Sequence, residues 1–269
     1  MSERVTISII DNVADVRMNR PDKRNALDNA MFAAIAEAGE QLKADQKVRA
    51  VVLSGEGPSF CAGLDFGSFQ SMVGGGKDDA SLTEDGPGSM AAGRITHLGQ
   101  QVAWVWQEIQ VPVIAAVHGH ALGGGIQIAL GADIRIVHPA TKMSVREVHW
   151  GIVPDMTGTH ALSRLVRPDV AKELVFTARI FDGTEALQLG LATRLSETPL
   201  QDALAMAAEI ANRSPRAVRG SKELLNRIGN SGAAEQFAEE RRVIHSLIGG
   251  PEQVEAVTAN FENRAPVFP

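Results

Sequence analysis

Tyrosine is absent from this chain, and cysteine occurs once, at Cys61. A single cysteine excludes an intrachain disulfide. The opening residues MSERVTISII turn apolar too late and too briefly for a secretory leader, so a cytoplasmic protein is expected. Aromatic residues make up only 4%, and 26 Lys and Arg face 32 Asp and Glu for a net charge of −6. Without a basic field or stacking surfaces, nucleic-acid binding is excluded as an expectation. An anionic ligand would need a locally basic mouth or backbone donors. No apolar run approaches the ~18 residues of a membrane span. No GxGxxG fingerprint is present, and Ser144 and Ser163 lack the GxSxG frame of a nucleophile elbow. His118 and His120 straddle a glycine with no cysteine cluster nearby, which is poor spacing for a structural zinc, and no metal is expected.

What remains is an ordinary globular composition. The chain has 269 residues, 44% hydrophobic, enough for one large domain or two small ones. Val5–Ile10 and Val13–Met18 are β-branched runs around Asp11-Asn12, which predicts a hairpin. Asp28 is placed as an N-cap before the helical stripe Met31, Phe32, Ile35, Ala38, Leu42. Strands are expected at 50–53, 113–117 and 134–137, and helices at 95–109, 126–130, 170–177, 184–189 and 201–212. Trp104 and Trp106 fall on different faces of one helix, so at most one is expected in the core. Residues 67–93, with Gly74-Gly75-Gly76 and Gly86-Pro87-Gly88, read as a mobile surface loop. Strands alternate with helices early and helices dominate late. The expected division is an α/β core over 1–200 and a helical region over 201–269.

Three segments could carry chemistry. Phe60-Cys61-Ala62-Gly63-Leu64-Asp65 follows a buried strand, and its small-residue turn leaves N–H groups free to face negative charge, unless it is merely a tight turn. His118-Gly119-His120-Ala121-Leu122-Gly123-Gly124-Gly125 joins a strand to a helix, so a ligand could approach the backbone closely. Two such junctions suggest donors converging on one oxygen. In Arg146 to Asp155, Glu147 and Asp155 stand eight residues apart among apolar groups, where desolvation raises a carboxyl pKa toward neutrality. The structural alternatives are that Glu147 pairs with Arg146 or Arg164 and that Asp155 caps the helix at 159–166. Cys61 has no evident activating base and reads as a small buried residue.

Together these segments resemble the enoyl-CoA hydratase/isomerase, or crotonase, family. The resemblance spans nearly the whole chain in the family's order. It begins with Asn19-Arg20-Pro21-Asp22-Lys23-Arg24-Asn25-Ala26-Leu27. Ser54-Gly55-Glu56-Gly57, the Phe60–Asp65 turn, 112–119 into the triple glycine, Ala132-Asp133 and the Glu147 segment follow, and Arg264-Ala265-Pro266-Val267-Phe268 closes it. It implies an α/β spiral of ββα units, a helical C-terminal region that builds homotrimers or hexamers, and an acyl-CoA thioester substrate. No separate cofactor is implied, because coenzyme A belongs to the substrate. The resemblance puts oxyanion-hole N–H groups on Ala62 and Gly124 and coenzyme A contacts on Lys23, Arg24 and Ala26, with Arg264 contributing from its own or a neighbouring subunit.

One departure bears on the reaction. Family hydratases generally carry two glutamates, and the first position here is Gln127, which cannot take a proton. Asp155 falls where the family's dienoyl-CoA isomerases carry an aspartate, although those also tend to have an acid at the Gln127 position. The expectation is therefore double-bond isomerisation of an enoyl- or dienoyl-CoA, with Glu147 and Asp155 catalytic and Gln127 positioning. The alternatives are a hydratase using Glu147 alone, with Gln127 holding water, and a non-catalytic acyl-CoA-binding trimer. A serine hydrolase on a related spiral is a further reading, against which no Ser/His/Asp set stands out.

Overall fold

A computed structural model describes residues 4–68, 87–90, 93–230 and 232–268. Most of the stretch 67–93 lies outside the described residues. The opening hairpin is present. β1 (Val5–Ile10) and β2 (Val13–Met18) pair antiparallel from Val5↔Met18 to Ile10↔Val13. Asp11 and Asn12 both adopt left-handed φ, 49° and 66°, as a two-residue hairpin turn of matching twist requires. Asp28 caps α1 (Asn29–Ala44), its side chain accepting from the Met31 N–H at 2.8 Å.

β3 (Ala50–Gly55), β4 (Val113–Val117), β6 (Ile134–Val137) and β8 (Arg194–Leu195) add in parallel, giving a six-stranded order β1-β2-β3-β4-β6-β8. β3 and β4 are buried along their whole length because both faces are covered. Val51, Leu53, Val113, Ala115 and Val117 join the main core with α1, α2 (Leu98–Glu108) and α3 (Gly124–Gly131). Ala50, Val52, Ile114, Ala116 and Ile136 face the other way, onto Ala203, Ala207 and Ala211 of α7 (Pro199–Ala211). This alternation is the two-residue period of a strand. The small alanines let α7 lie close on the sheet, so the sheet's core extends past residue 200. A second sheet pairs β5 (His120–Leu122) in parallel with β7 (Lys142–Ser144).

The connecting helices are α4 (Gly158–Leu165), α5 (Pro168–Thr177) and α6 (Gly183–Leu189). The chain ends in α8 (Pro215–Gly229), α9 (Ala233–Leu247) and α10 (Pro251–Phe261). Both Trp104 and Trp106 are buried, against the expectation of one. α2 is covered on two sides: Trp106 joins the main core, while Trp104 packs edge-on to Phe237 of α9 with ring centroids 4.8 Å apart. Phe237 and Ile244 of α9 are thus buried within the chain itself, whereas Leu224 and Leu225 of α8 are 66% and 69% exposed.

Candidate active site

A cavity of about 830 Å³ opens between the two glycine junctions, the Glu147 segment and α9. Its roof is two turns pressed together. Gly63 has φ +90°, and a Cβ there would lie 2.6 Å from the Leu122 carbonyl oxygen and 3.8 Å from the Gly124 nitrogen. Only glycine permits both the conformation and the approach. Gly124 is the first residue of α3, with its N–H at the positive end of the helix.

The partner donor differs from the one expected. The Ala62 N–H donates to the Arg24 carbonyl at 2.9 Å, so although Ala62 lines the cavity its N–H is already engaged. Leu27 and Leu64 form a parallel bridge in which the Leu27 N–H bonds to the Gly63 carbonyl and the Asp65 N–H to the Leu27 carbonyl. That pattern leaves the N–H of Leu64, two residues on, for the cavity side. The sequence shows that the turn exists; which N–H is left over depends on the bridge to Leu27, a partner 37 residues away. An ion pair at 2.7 Å between Arg20 and Asp65 ties this turn to the segment before α1.

Glu147 starts a 3₁₀ turn (Glu147–Trp150) and is 5% exposed. The Gln127 side-chain amide donates to its Oε1 at 2.6 Å, while Oε2 is buried with no hydrogen-bond partner. Burial pushes the Glu147 carboxyl up to about 7, against weaker opposing hydrogen bonds. The structural alternative for this residue fails: Arg146 reaches the Ala178 carbonyl and Arg164 the Asn230 side chain. Gln127 is itself fixed, its Oε1 accepting from the N–H groups of Met156 at 3.0 Å and Gly158 at 2.9 Å. That leaves its amide group, not its oxygen, facing Glu147.

Asp155 lines the same cavity. It does not cap α4, whose N-cap is Thr157. Burial pushes its carboxyl up to about 7, reinforced by the charges of Glu240 and then Glu147. Glu240, on α9, was not singled out from the sequence, where it stands in the charged run Glu239-Glu240-Arg241-Arg242 that reads as a solvated face. It is 4% exposed. His97 also lines the cavity and is held neutral, its pKa lowered to about 4 chiefly by burial. The Cys61 thiol, buried beneath the turn, is pushed up to about 12 by the same cause and stays protonated.

Lys23, Arg24, Ala26 and Arg146 line the cavity, with the acid Asp22 and His120, whose pKa is lowered chiefly by burial, among them. This is the locally basic entrance that an anionic ligand would need in an acidic chain. Within the subunit Arg264 does not line the cavity: it is held by Glu255 at 2.6 Å and Glu262 at 2.7 Å. Among the described residues no cluster of His, Cys, Asp and Glu is arranged to hold a metal ion, and no helix is long and apolar enough to cross a membrane.

Leu64, Gly124 and a buried carboxyl with a pKa near neutrality line one cavity, which suits a class of protein that stabilises negative charge on a bound carbonyl oxygen while a proton moves nearby. A sequence profile of the enoyl-CoA hydratase/isomerase family matches residues 8–269, and the chain belongs to that family. It is 33% identical to a probable enoyl-CoA hydratase, echA8, of Mycobacterium leprae, over 99% of this chain and 98% of the relative. It is also 33% identical to the short-chain-enoyl-CoA hydratase of Clostridium acetobutylicum, covering 94% and 92% respectively. The crystal structure of an enoyl-CoA hydratase/isomerase from Pseudoalteromonas atlantica superposes with a TM-score of 0.85 at 28% identity, covering 99% of this chain and all of that one. The fold is thus the crotonase-type α/β fold.

Proposed function

We propose that this protein moves a double bond in an enoyl- or dienoyl-CoA thioester. The observation that carries the reading is a pair of carboxyls, Glu147 and Asp155, lining one cavity with their pKa values both raised to about 7. Near neutral pH such a pair can hold one proton acceptor and one proton donor together. Ionised Glu147 takes a proton from the carbon next to the thioester. The electron pair passes to the thioester oxygen, where the Leu64 and Gly124 N–H groups stabilise the enolate. On a dienoyl substrate Asp155, in its acid form, delivers a proton at the far end of the conjugated system; on a 3-enoyl substrate the protonated Glu147 returns its proton to the nearer carbon. Exchange with solvent then returns both carboxyls to their starting states. Lys23 and Arg24 meet the phosphates of coenzyme A at the mouth.

Hydration is the second reading, and the names of the two relatives favour it. Its weakness is at Gln127, whose oxygen already accepts two backbone N–H groups and whose amide already donates to Glu147. Only one amide hydrogen is left to hold a water. A non-catalytic binder has less support, since Glu147 has no ion-pair partner among the described residues to account for its burial. We further infer that the chain assembles as a homotrimer or hexamer through surfaces that include α8.

The test is a panel of 2-enoyl-, 3-enoyl- and 3,5-dienoyl-CoA substrates followed at the absorbance of the conjugated thioester. Isomerisation creates that band from the 3-enoyl or 3,5-dienoyl compounds. Loss of the band from the 2-enoyl compound, with no action on the others, would replace isomerase by hydratase.

A further inference from the structure

The carboxylate of Glu240 lies outside the reaction as derived, yet it is among the most heavily bonded side chains in the molecule. Its Oε2 accepts from the Thr157 N–H at 3.1 Å and from the Gln100 amide at 3.2 Å, and its Oε1 accepts the Thr159 hydroxyl at 2.5 Å. Thr157 is a buried, β-branched residue with φ +65°, in the left-handed region that such residues avoid. A strained residue persists only where its surroundings hold it. The N–H groups on either side of it, Met156 and Gly158, are the two that grip the Gln127 oxygen. Gln127 in turn donates to Glu147 Oε1 and leaves Oε2 for the substrate.

We propose that Glu240 is a positioning residue: its carboxylate holds the Thr157 turn, and through Met156, Gly158 and Gln127 it aims Glu147 at the substrate. The proposal rests on the isomerase reading above for the chemistry, but the chain of contacts stands apart from it. Gln100 links Glu240 to α2, and its own oxygen accepts from Arg241 at 2.8 Å. The charged and titratable groups around Glu240 are Asp155 on the cavity side, Arg241 and His245 on its own helix, neutral His97 at the N-cap of α2 and, on α4, His160 against Phe237, its pKa lowered chiefly by burial, with Glu147 beyond Asp155. Asp155 lies close enough to feel its charge, so the same residue sets the field at the second carboxyl.

The experiment compares Glu240→Ala and Glu240→Gln by steady-state kinetics, pH profiles and side-chain amide NMR. A glutamine can accept from Thr157 and Gln100 through its oxygen and donate to the Thr159 hydroxyl, so it keeps the turn and removes the charge. Glu240→Ala is expected to lower kcat by about tenfold or more with KM within about threefold. Glu240→Gln is expected to recover kcat to within about threefold, while its alkaline limb moves to lower pH by about half a unit as Asp155 loses a repelling neighbour. In Glu240→Ala the Gln127 side-chain N–H resonances should lose their protection from exchange, and in Glu240→Gln they should keep it. The proposal is overturned if Glu240→Ala keeps wild-type kcat and Gln127 protection, or if the Glu240→Gln pH profile overlies that of the wild type. Should Glu240→Ala not fold, Thr159→Ala, which removes one of the bonds to the carboxylate, takes its place with the same kcat and Gln127 readouts. A wild-type protein inactive on every thioester of the panel would sink the isomerase reading instead, and the NMR comparison would then decide the positioning role by itself.

Discussion

Replacing Glu147 by glutamine should abolish turnover and, at the same time, make the protein more stable above neutral pH. The carboxyl is raised from an ordinary 4.5 to about 7 because its charged form is buried with one oxygen unpartnered. Below pH ~4.5 both the folded and unfolded chains hold the proton, and the residue costs nothing. Between about 4.5 and 7 the unfolded chain releases its proton first, so rising pH favours unfolding. Above pH ~7 the full penalty is present, on the order of 3 kcal/mol. The amide in Glu147→Gln carries no charge and can still accept from Gln127. At pH 8 the variant should therefore melt higher than wild type by roughly 5–10 °C, and near pH 4.5 the two curves should converge. Asp155 adds to the difference in the same direction, because the variant lacks the Glu147 charge that helps to raise its pKa. Turnover should fall by about 10²–10⁴, the range for a lost general base. Parallel melting curves at both pH values, or retained activity, would refute the reasoning.

Two further outcomes follow from packing. A Cβ at Gly125 would overlap the Cys61 carbonyl at the contact between the two junctions. Gly125→Ala should therefore cost about 1–3 kcal/mol in denaturant melts and reduce turnover through displaced backbone donors. Leu224→Glu combined with Leu225→Glu should leave a folded chain, because both side chains point to solvent within the subunit, but should reduce its assembly in sedimentation experiments. A single species of monomer mass in the unmutated protein would contradict the assembly reading.

Local rules carried the sequence reading furthest where the interaction is local. The Asp11-Asn12 turn, the Asp28 cap and the buried parallel strands each depend on residues within a few positions or on an alternating pattern. Readings failed where a partner is remote. Trp104 is buried because α9, more than a hundred residues on, covers the second side of α2. The resemblance puts the oxyanion N–H on Ala62, and the turn alone cannot correct it, because which amide stays free depends on the bonds that Arg24 and Leu27 make to it. Glu240 stays hidden because nothing in the run Glu239–Arg242 shows that one of its four charges turns inward to a strained threonine. Glu147 and Asp155 are legible through their apolar surroundings, and the structure adds that, among the described residues, neither has an ion-pair partner.

The most direct measurement is the rate at which Asp155→Asn converts a 3,5-dienoyl-CoA to its 2,4-dienoyl isomer, beside its rate on a 3-enoyl-CoA. Asparagine keeps the shape of the residue but cannot deliver a proton to the far carbon. The account predicts a loss of about 10² or more on the dienoyl substrate and a much smaller loss on the 3-enoyl substrate, where Glu147 can reach both carbons. Equal and small losses on both substrates would contradict it and leave Glu147 as the only group moving protons in this cavity.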